Sequence, residues 1–251
     1  MTTVQTLLFL SCFSLALVAC SKPYQQETRH LAPGDPTRQA TWAVAPLRNE
    51  SGVSLVDPLR VSDELFEAVA QVNGVTAVPI NRSIAAMRSL GMTDVATPED
   101  AIELARLLDA DAIIVGTITA YDPYDPPQLG MSLALITIND GRATAAPVSN
   151  DFDPYLLSTA STDSMLRTDA GTRAGQPFVA AGGHFDASDG ITRDRVRAFA
   201  TGRHLPDGPL GWQRYIKSMG LYTRYVCFEL VGRLIAAERS RRPPLEPTKD
   251  A

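Results

Sequence analysis

An apolar run at positions 111–121 constrains the fold more than any other part of the sequence. Residues Ala112 to Val115 are continuously apolar, and the second half of the run alternates between apolar and polar residues. The first pattern is typical of a central strand buried on both faces, and the second of a strand with one face outside the core. The short connection at 122–127 then predicts an antiparallel return strand at 131–138.

Strands and helices alternate before this hairpin. Two shorter apolar runs, at 41–47 and 75–80, predict two further strands. Three helices are predicted because apolar residues at helical spacing follow residues that favour the start of a helix, namely Asp57, Asn81 and Thr97. This alternation predicts a single α/β domain in which helices pack on a mixed sheet of about four to five strands.

Two different patterns follow the hairpin. The segment 139–209 is rich in Gly, Pro, Ser, Thr, Asp and Ala, which predicts a large loop-rich insertion with one short helix at 194–200. Beyond it, apolar residues recur every three or four positions from Trp212 to Leu234. That spacing predicts a long C-terminal amphipathic helix.

The first twenty residues predict a targeting signal and not a part of the fold. Residues 7–19 are uncharged and mostly apolar, but the run is shorter than the ~20 residues that a membrane-spanning helix needs. Ala19 ends the run and Cys20 follows, a pattern that resembles the lipobox of bacterial lipoproteins. It implies cleavage between Ala19 and Cys20, with palmitate and further acyl chains on the mature terminus holding it on a membrane. The alternatives are a plain secretory signal and an uncleaved short anchor.

These features give the domain organisation and the fate of the three cysteines. The predicted parts are a lipoprotein signal peptide at 1–19, a lipidated tether at 20–39, the α/β domain at 40–242 with its insertion at 139–209, and a polar tail at 243–251. Cys12 would leave with the signal and Cys20 would carry lipid. Cys227 lies in an apolar helical pattern, and we expect it to be buried and unreactive.

Composition excludes several classes of protein. The chain has 28 acidic and 23 basic residues and a formal net charge of -5, which disfavours a nucleic-acid partner. Apolar residues make up 45% of the chain, too many for a disordered protein. No G-x-S-x-G sequence marks a catalytic serine. The sequence predicts neither a cofactor nor an enzyme.

Two groups of residues are candidates for a functional site. Tyr121, Tyr124, Phe152 and Tyr155 lie on or near the hairpin, and tyrosine is common where proteins contact one another. They are candidates for binding a partner protein, and the alternative is that they cover the edge of the sheet.

A second stretch contains His184 and Asp186 among glycine and aspartate residues. These two are candidates for a metal or anion site on a loop. The favoured interpretation is an ordinary polar turn, since no second histidine stands at metal-ligand spacing and no cysteine pair is present.

The order and spacing of two motifs resemble a family of bacterial envelope proteins. Residues Ala43 to Pro46 are followed by Asn49 and Gly52, and the run 107–116 joins a helix end to an apolar strand containing a glycine. The family includes the curli secretion lipoprotein, the outer-membrane lipoprotein activators of penicillin-binding proteins and the amino-terminal domain of TolB. The resemblance covers roughly residues 41–138.

The resemblance implies a lipid-anchored, periplasm-facing protein on a bacterial membrane. Ser21, and not Asp, follows Cys20, which by analogy with enterobacterial lipoprotein sorting favours the outer membrane. The resemblance also implies a non-catalytic factor that binds another envelope protein or assembles with it, and an oligomer is compatible with this role. Two alternatives remain open: an envelope hydrolase with a lid-like insertion around His184, and an oligomeric secretion-system component. The absence of long alternating strands from the pattern of the insertion argues against a channel.

Overall fold

The computed structural model describes residues 29–30, 39–138, 178–203 and 209–241. The strands in these ranges are β1 (Arg29–His30), β2 (Ala40–Val44), β3 (Arg48–Asn49), β4 (Val72–Asn73), β5 (Val75–Val78), β6 (Ala112–Asp122), β7 (Gln128–Thr137) and β8 (Phe178–Asp186). The helices are α1 (Pro58–Ala70), α2 (Ile80–Ser89), α3 (Pro98–Leu107), α4 (Gly190–Ala200), α5 (Arg214–Lys217) and α6 (Met219–Arg241), with a 3-10 turn at Gly211–Gln213.

The main sheet is mixed, as the sequence predicts. Its strands follow the order β5-β2-β6-β7-β8, and the short β3 continues the line of β2 beside β6. The strands β5, β2 and β6 are parallel, whereas β6 pairs with β7 and β7 with β8 in antiparallel fashion. The α/β class, the hairpin and the mixed sheet are therefore confirmed.

Helices cover both faces of the sheet, with β6 at its centre. Ile114 and Ile118 are fully buried on the face that carries α1, α4 and α6. Ile113 and Val115 are buried on the other face, under α2 and α3. Two apolar layers thus enclose the first half of β6, which explains why that half has no polar position.

Side chains that satisfy free backbone N–H groups set two of the three predicted helix starts. Asp57 accepts hydrogen bonds from the amides of Leu59 and Arg60 at the start of α1. Thr97 and Asp100 form a reciprocal capping box at the start of α3. The third prediction was wrong, because Asn81 does not precede α2. That helix begins at Ile80, and the residue before it, Pro79, makes no side-chain hydrogen bond.

The sequence predicts a loop-rich insertion at 139–209, and this prediction was wrong for residues 178–203, which the structure describes. Residues 178–186 form β8, and α4 begins at Gly190, earlier than the short helix predicted at 194–200. Val179, Ala181 and Phe185 of β8 are buried in the core, and Gly183 interrupts their alternation. This strand also removes the sequence-based argument that the insertion lacks long strands.

The long C-terminal helix is confirmed, but it begins later than predicted. Ser218 has an extended backbone, so the 3-10 turn and α5 form a separate segment that contains Trp212, and the long helix begins at Met219. No helix in the described ranges is long and apolar enough to cross a bilayer.

Candidate functional site

The turn between β6 and β7 projects from one end of the sheet. Tyr124 at this turn is 72% exposed, and its backbone N–H donates to the carboxylate of Asp122 at 3.1 Å. Asp125 forms an ion pair with Lys217 of α5. The turn therefore has one hydrogen bond within itself and one ion pair to α5, and the Tyr124 side chain faces solvent.

Two aliphatic side chains are exposed at the same end of the sheet. Strand β3 pairs with Thr117 and Ile118 in the second half of β6, so the chain between β3 and α1 lies near the end of the sheet that carries the β6–β7 turn. In this part of the chain, Leu55 is 65% and Leu59 is 47% exposed to solvent. We refer to Leu55, Leu59 and Tyr124 as the tip surface. Aromatic side chains such as that of Tyr124 are enriched in protein interfaces.

Tyr121 differs from Tyr124 although the two are close in sequence. Its side chain is partly buried and packs against the main core. Burial raises the pKa of the Tyr121 hydroxyl, and the positive charge of Arg60 opposes that shift. Tyr121 is therefore partly covered, whereas Tyr124 is largely exposed; the partner-binding role of both residues stays a prediction.

The other candidates from this group lie outside the described residues. They are Phe152 and Tyr155, together with the predicted lipidation and cleavage site at Ala19 and Cys20. For all four, the functions assigned from the sequence remain predictions.

His184 and Asp186 lie on strand β8 and not on a loop, which corrects the sequence-based placement. His184 is exposed and lies opposite Gly130 of β7. The carboxylate of Asp186 accepts a hydrogen bond from the Ser188 amide at 2.7 Å, so it shapes the turn into α4. Within the described ranges no group of three or more His, Cys, Asp or Glu side chains could hold a metal ion.

An aromatic cluster lies between β8, α4 and α6, and the sequence patterns did not predict it. Its rings come from Phe185, Phe199, Tyr215, Tyr222, Tyr225 and Phe228, with neighbouring centroids 4.9–6.1 Å apart. The signal was present in the sequence only as separate aromatics in the insertion and the last helix. Because both segments contribute rings, the cluster fixes α4 on α6.

Burial dominates the chemistry of three groups on α6. It raises the pKa of the Tyr222 and Tyr225 hydroxyls above the usual range of tyrosine. It also raises the pKa of the Cys227 thiol, which is fully buried. The structure therefore confirms that Cys227 is buried. The raised pKa disfavours the thiolate, which is the reactive form of cysteine.

Two basic side chains of α6 bind within the domain, whereas Arg214 of α5 is exposed. Arg224 lies 2.9 Å from the carboxylate of Glu64 on α1. Arg233 donates to the carbonyl oxygen of Gly182 at 3.2 Å. The hydrogen bond to Gly182 brings a charged side chain to the outer strand of the sheet, which disfavours pairing with a further strand.

The N-terminal segment contacts the domain before residue 40. Strand β1 pairs with β4, so that Arg29 lies opposite Val72. The guanidinium of Arg29 lies 3.6 Å from the centroid of the Phe228 ring and donates to the Phe228 carbonyl oxygen. The region 20–39 is therefore not a tether along its whole length.

Comparison with known proteins finds similarity in solved structures only. No protein family matches the chain, and no curated protein does. The C-terminal domain of LpoB from Salmonella enterica is 19% identical, with 44% of this chain and 79% of that chain covered and a TM-score of 0.35. Lipoprotein GNA1162 from Neisseria meningitidis is 14% identical, with 65% and 97% covered and a TM-score of 0.38.

A third similar structure is an assembly. It is the PelC dodecamer from Paraburkholderia phytofirmans, 12% identical, with 78% of this chain and 88% of that chain covered and a TM-score of 0.37. GNA1162 is described as a lipoprotein.

Proposed function

We propose that this chain is a lipid-anchored, periplasm-facing protein of the bacterial envelope that binds another protein through its tip surface. The observation that carries the proposal is the 72% exposure of Tyr124, on a turn whose backbone is ordered by the hydrogen bond from the Tyr124 amide to Asp122. Tyrosine offers a large contact area and is enriched among the residues that contribute most to protein interfaces.

The anchor in this proposal is Cys20, which would hold the protein on the periplasmic face of the outer membrane. Its test is membrane fractionation of cells that express the full chain or its Cys20→Ala variant. The proposal requires the full chain in the membrane fraction and the variant in the soluble periplasm. Retention of the variant in the membrane fraction would show that another segment holds the protein there.

The binding role is tested by comparing variants at two places. Tyr124→Ala should reproduce the phenotype of a gene deletion while leaving the protein folded and abundant. His184→Ala tests the envelope-hydrolase alternative, because His184 is also exposed and lies at the end of β8 that pairs with the start of β7. If His184→Ala reproduces the deletion phenotype and Tyr124→Ala does not, the envelope-hydrolase alternative replaces this proposal.

A further inference from the structure

One part of the domain is rich in basic side chains although the whole chain is acidic. Between positions 190 and 217 the sequence has two carboxylates, Asp194 and Asp207. The same stretch holds six basic residues: Arg193, Arg195, Arg197, Arg203, Arg214 and Lys217. Since the formal net charge of the chain is -5, this stretch differs in sign from the rest of the molecule.

Some of these charges are neutralised and others face solvent. Arg195 lies 3.7 Å from Glu229, and Lys217 pairs with Asp125. Arg193 and Arg214 are exposed and form no ion pair with any residue that the structure describes. Arg197 remains 59% exposed beside Asp194, at 3.9 Å, which is a weak contact in water.

Apolar side chains accompany the exposed charges. The guanidinium of Arg197 lies 4.7 Å from the ring centroid of Trp212, and Leu210 is 50% exposed. We refer to Arg193, Arg197, Leu210, Trp212 and Arg214 as the basic patch. Arginine binds phosphate groups, and tryptophan favours the boundary between water and a bilayer. An anionic lipid surface matches both properties.

The first described residues of the chain lie near the C-terminal end of α4, the helix that carries two arginines of this patch. Arg29 and Arg203 both contact the ring of Phe228, at 3.6 and 4.8 Å from its centroid. Arg203 follows directly on α4, which carries Arg193 and Arg197. The segment from Cys20 to Arg29 spans nine residues, which reach at most ~30 Å.

We propose that the basic patch lies on the anionic headgroups of the membrane that holds the lipid anchor. The inference rests on the proposed anchoring at Cys20, because the anchor brings the bilayer to this side of the domain. The patch then acts as a second membrane contact and fixes the orientation of the domain. A single reversible contact gains strength when a second is joined to it through a short tether.

The two tryptophans of the chain provide a direct test. Trp42 is fully buried in the core, so quenchers in a bilayer reach Trp212 alone. The full lipidated chain is reconstituted in vesicles of phosphatidylcholine, with or without phosphatidylglycerol, that contain lipids brominated near the headgroup. We expect quenching of Trp212 in the anionic vesicles, and its loss in the neutral vesicles and at high salt. Equal quenching in both vesicles, or none in either, would overturn the proposal.

Charge reversal gives a matched control. The double variant Arg193→Glu, Arg197→Glu should lose the quenching. The variant Arg82→Glu, Arg88→Glu should keep it, since those exposed arginines lie on α2, which packs on the other face of the sheet. Co-flotation with vesicles separates the two proposals: loss of flotation means that the anchor has failed, whereas flotation without quenching means that the patch faces away from the membrane.

Discussion

The guanidinium of Arg29 occupies the space that a side chain at Gly232 would need. A Cβ atom at position 232 would collide with the Arg29 nitrogens, and the same guanidinium lies on the ring of Phe228. The missing side chain on α6 therefore creates the site where the N-terminal segment binds. This relationship connects the predicted anchor to the folded domain.

Gly232→Ala should displace the Arg29 guanidinium from the Phe228 ring and so loosen β1, without unfolding the core. The expected cost is about 1–2 kcal/mol, the range of a partly buried contact between a cation and an aromatic ring. Hydrogen exchange should show faster exchange at His30, with the amides of β6 unchanged. Gly190→Ala is the control, because a Cβ there meets nothing within 4 Å. Unchanged exchange at His30 in Gly232→Ala would show that the contact does not hold the segment.

Gly116 should be intolerant of any side chain. A Cβ atom there would collide with the carbonyl oxygen of Ser132 and with the side chain of Leu133. We expect Gly116→Ala to lower the free energy of unfolding by about 1–3 kcal/mol or more, because β6 and β7 must separate. Gly182→Ala should cost less, since its nearest atom, the Met131 carbonyl oxygen, is 3.2 Å away. Denaturant unfolding of both variants measures the difference, and equal losses would contradict the account.

Loss of the hydroxyl should affect the free energy of unfolding differently at two tyrosines of the aromatic cluster. The Tyr215 hydroxyl donates to the carbonyl oxygen of Arg203 at 3.1 Å, so Tyr215→Phe should cost about 0.5–1.5 kcal/mol. The Tyr225 hydroxyl is buried and has no hydrogen-bond partner in the described structure. Tyr225→Phe should therefore leave the free energy of unfolding unchanged or raise it. A loss in Tyr225→Phe as large as that in Tyr215→Phe would mean that the hydroxyl is hydrogen-bonded.

The protein should lose stability at alkaline pH. Burial raises the pKa of the Tyr222 and Tyr225 hydroxyls above the ordinary tyrosine value of about 10, so the unfolded state releases these protons at a lower pH than the folded state does. Their contribution is fully present below pH ~10 and falls as the pH rises further. Unfolding measured across this range should show a shallower decline in the double variant Tyr222→Phe, Tyr225→Phe. Equal slopes in both proteins would contradict the assignment.

The central part of the fold could be predicted because its signals are local. The apolar half of β6 extends from Ala112, and the N-caps Asp57 and Thr97 lie directly before their helices. Each of these signals depends on side chains within a few positions of one another. Burial on both faces leaves a continuous apolar run, which a sequence pattern detects directly.

β8 escaped prediction because its packing depends on distant partners. Its positions facing the main core include Ala181 and Gly183, where small residues allow a close approach by other elements and leave little hydrophobic signal. Arg233 on α6 approaches the strand there and bonds to Gly182. The tip surface was predicted only in part, since Tyr124 was identified and Leu55 and Leu59 were not. Their exposure follows from tertiary packing and not from local spacing.

Site-specific photo-cross-linking tests the central claim, that the tip surface binds a protein partner. A photoreactive amino acid replaces Tyr124 in the full chain expressed in its native cells, and the control replaces Leu107. Leu107 is also an exposed apolar residue, at 51%, but it lies at the end of α3 before β6 begins. We predict a discrete cross-linked protein adduct from position 124 and none from position 107. No adduct from position 124, or the same adducts from both positions, would contradict the account.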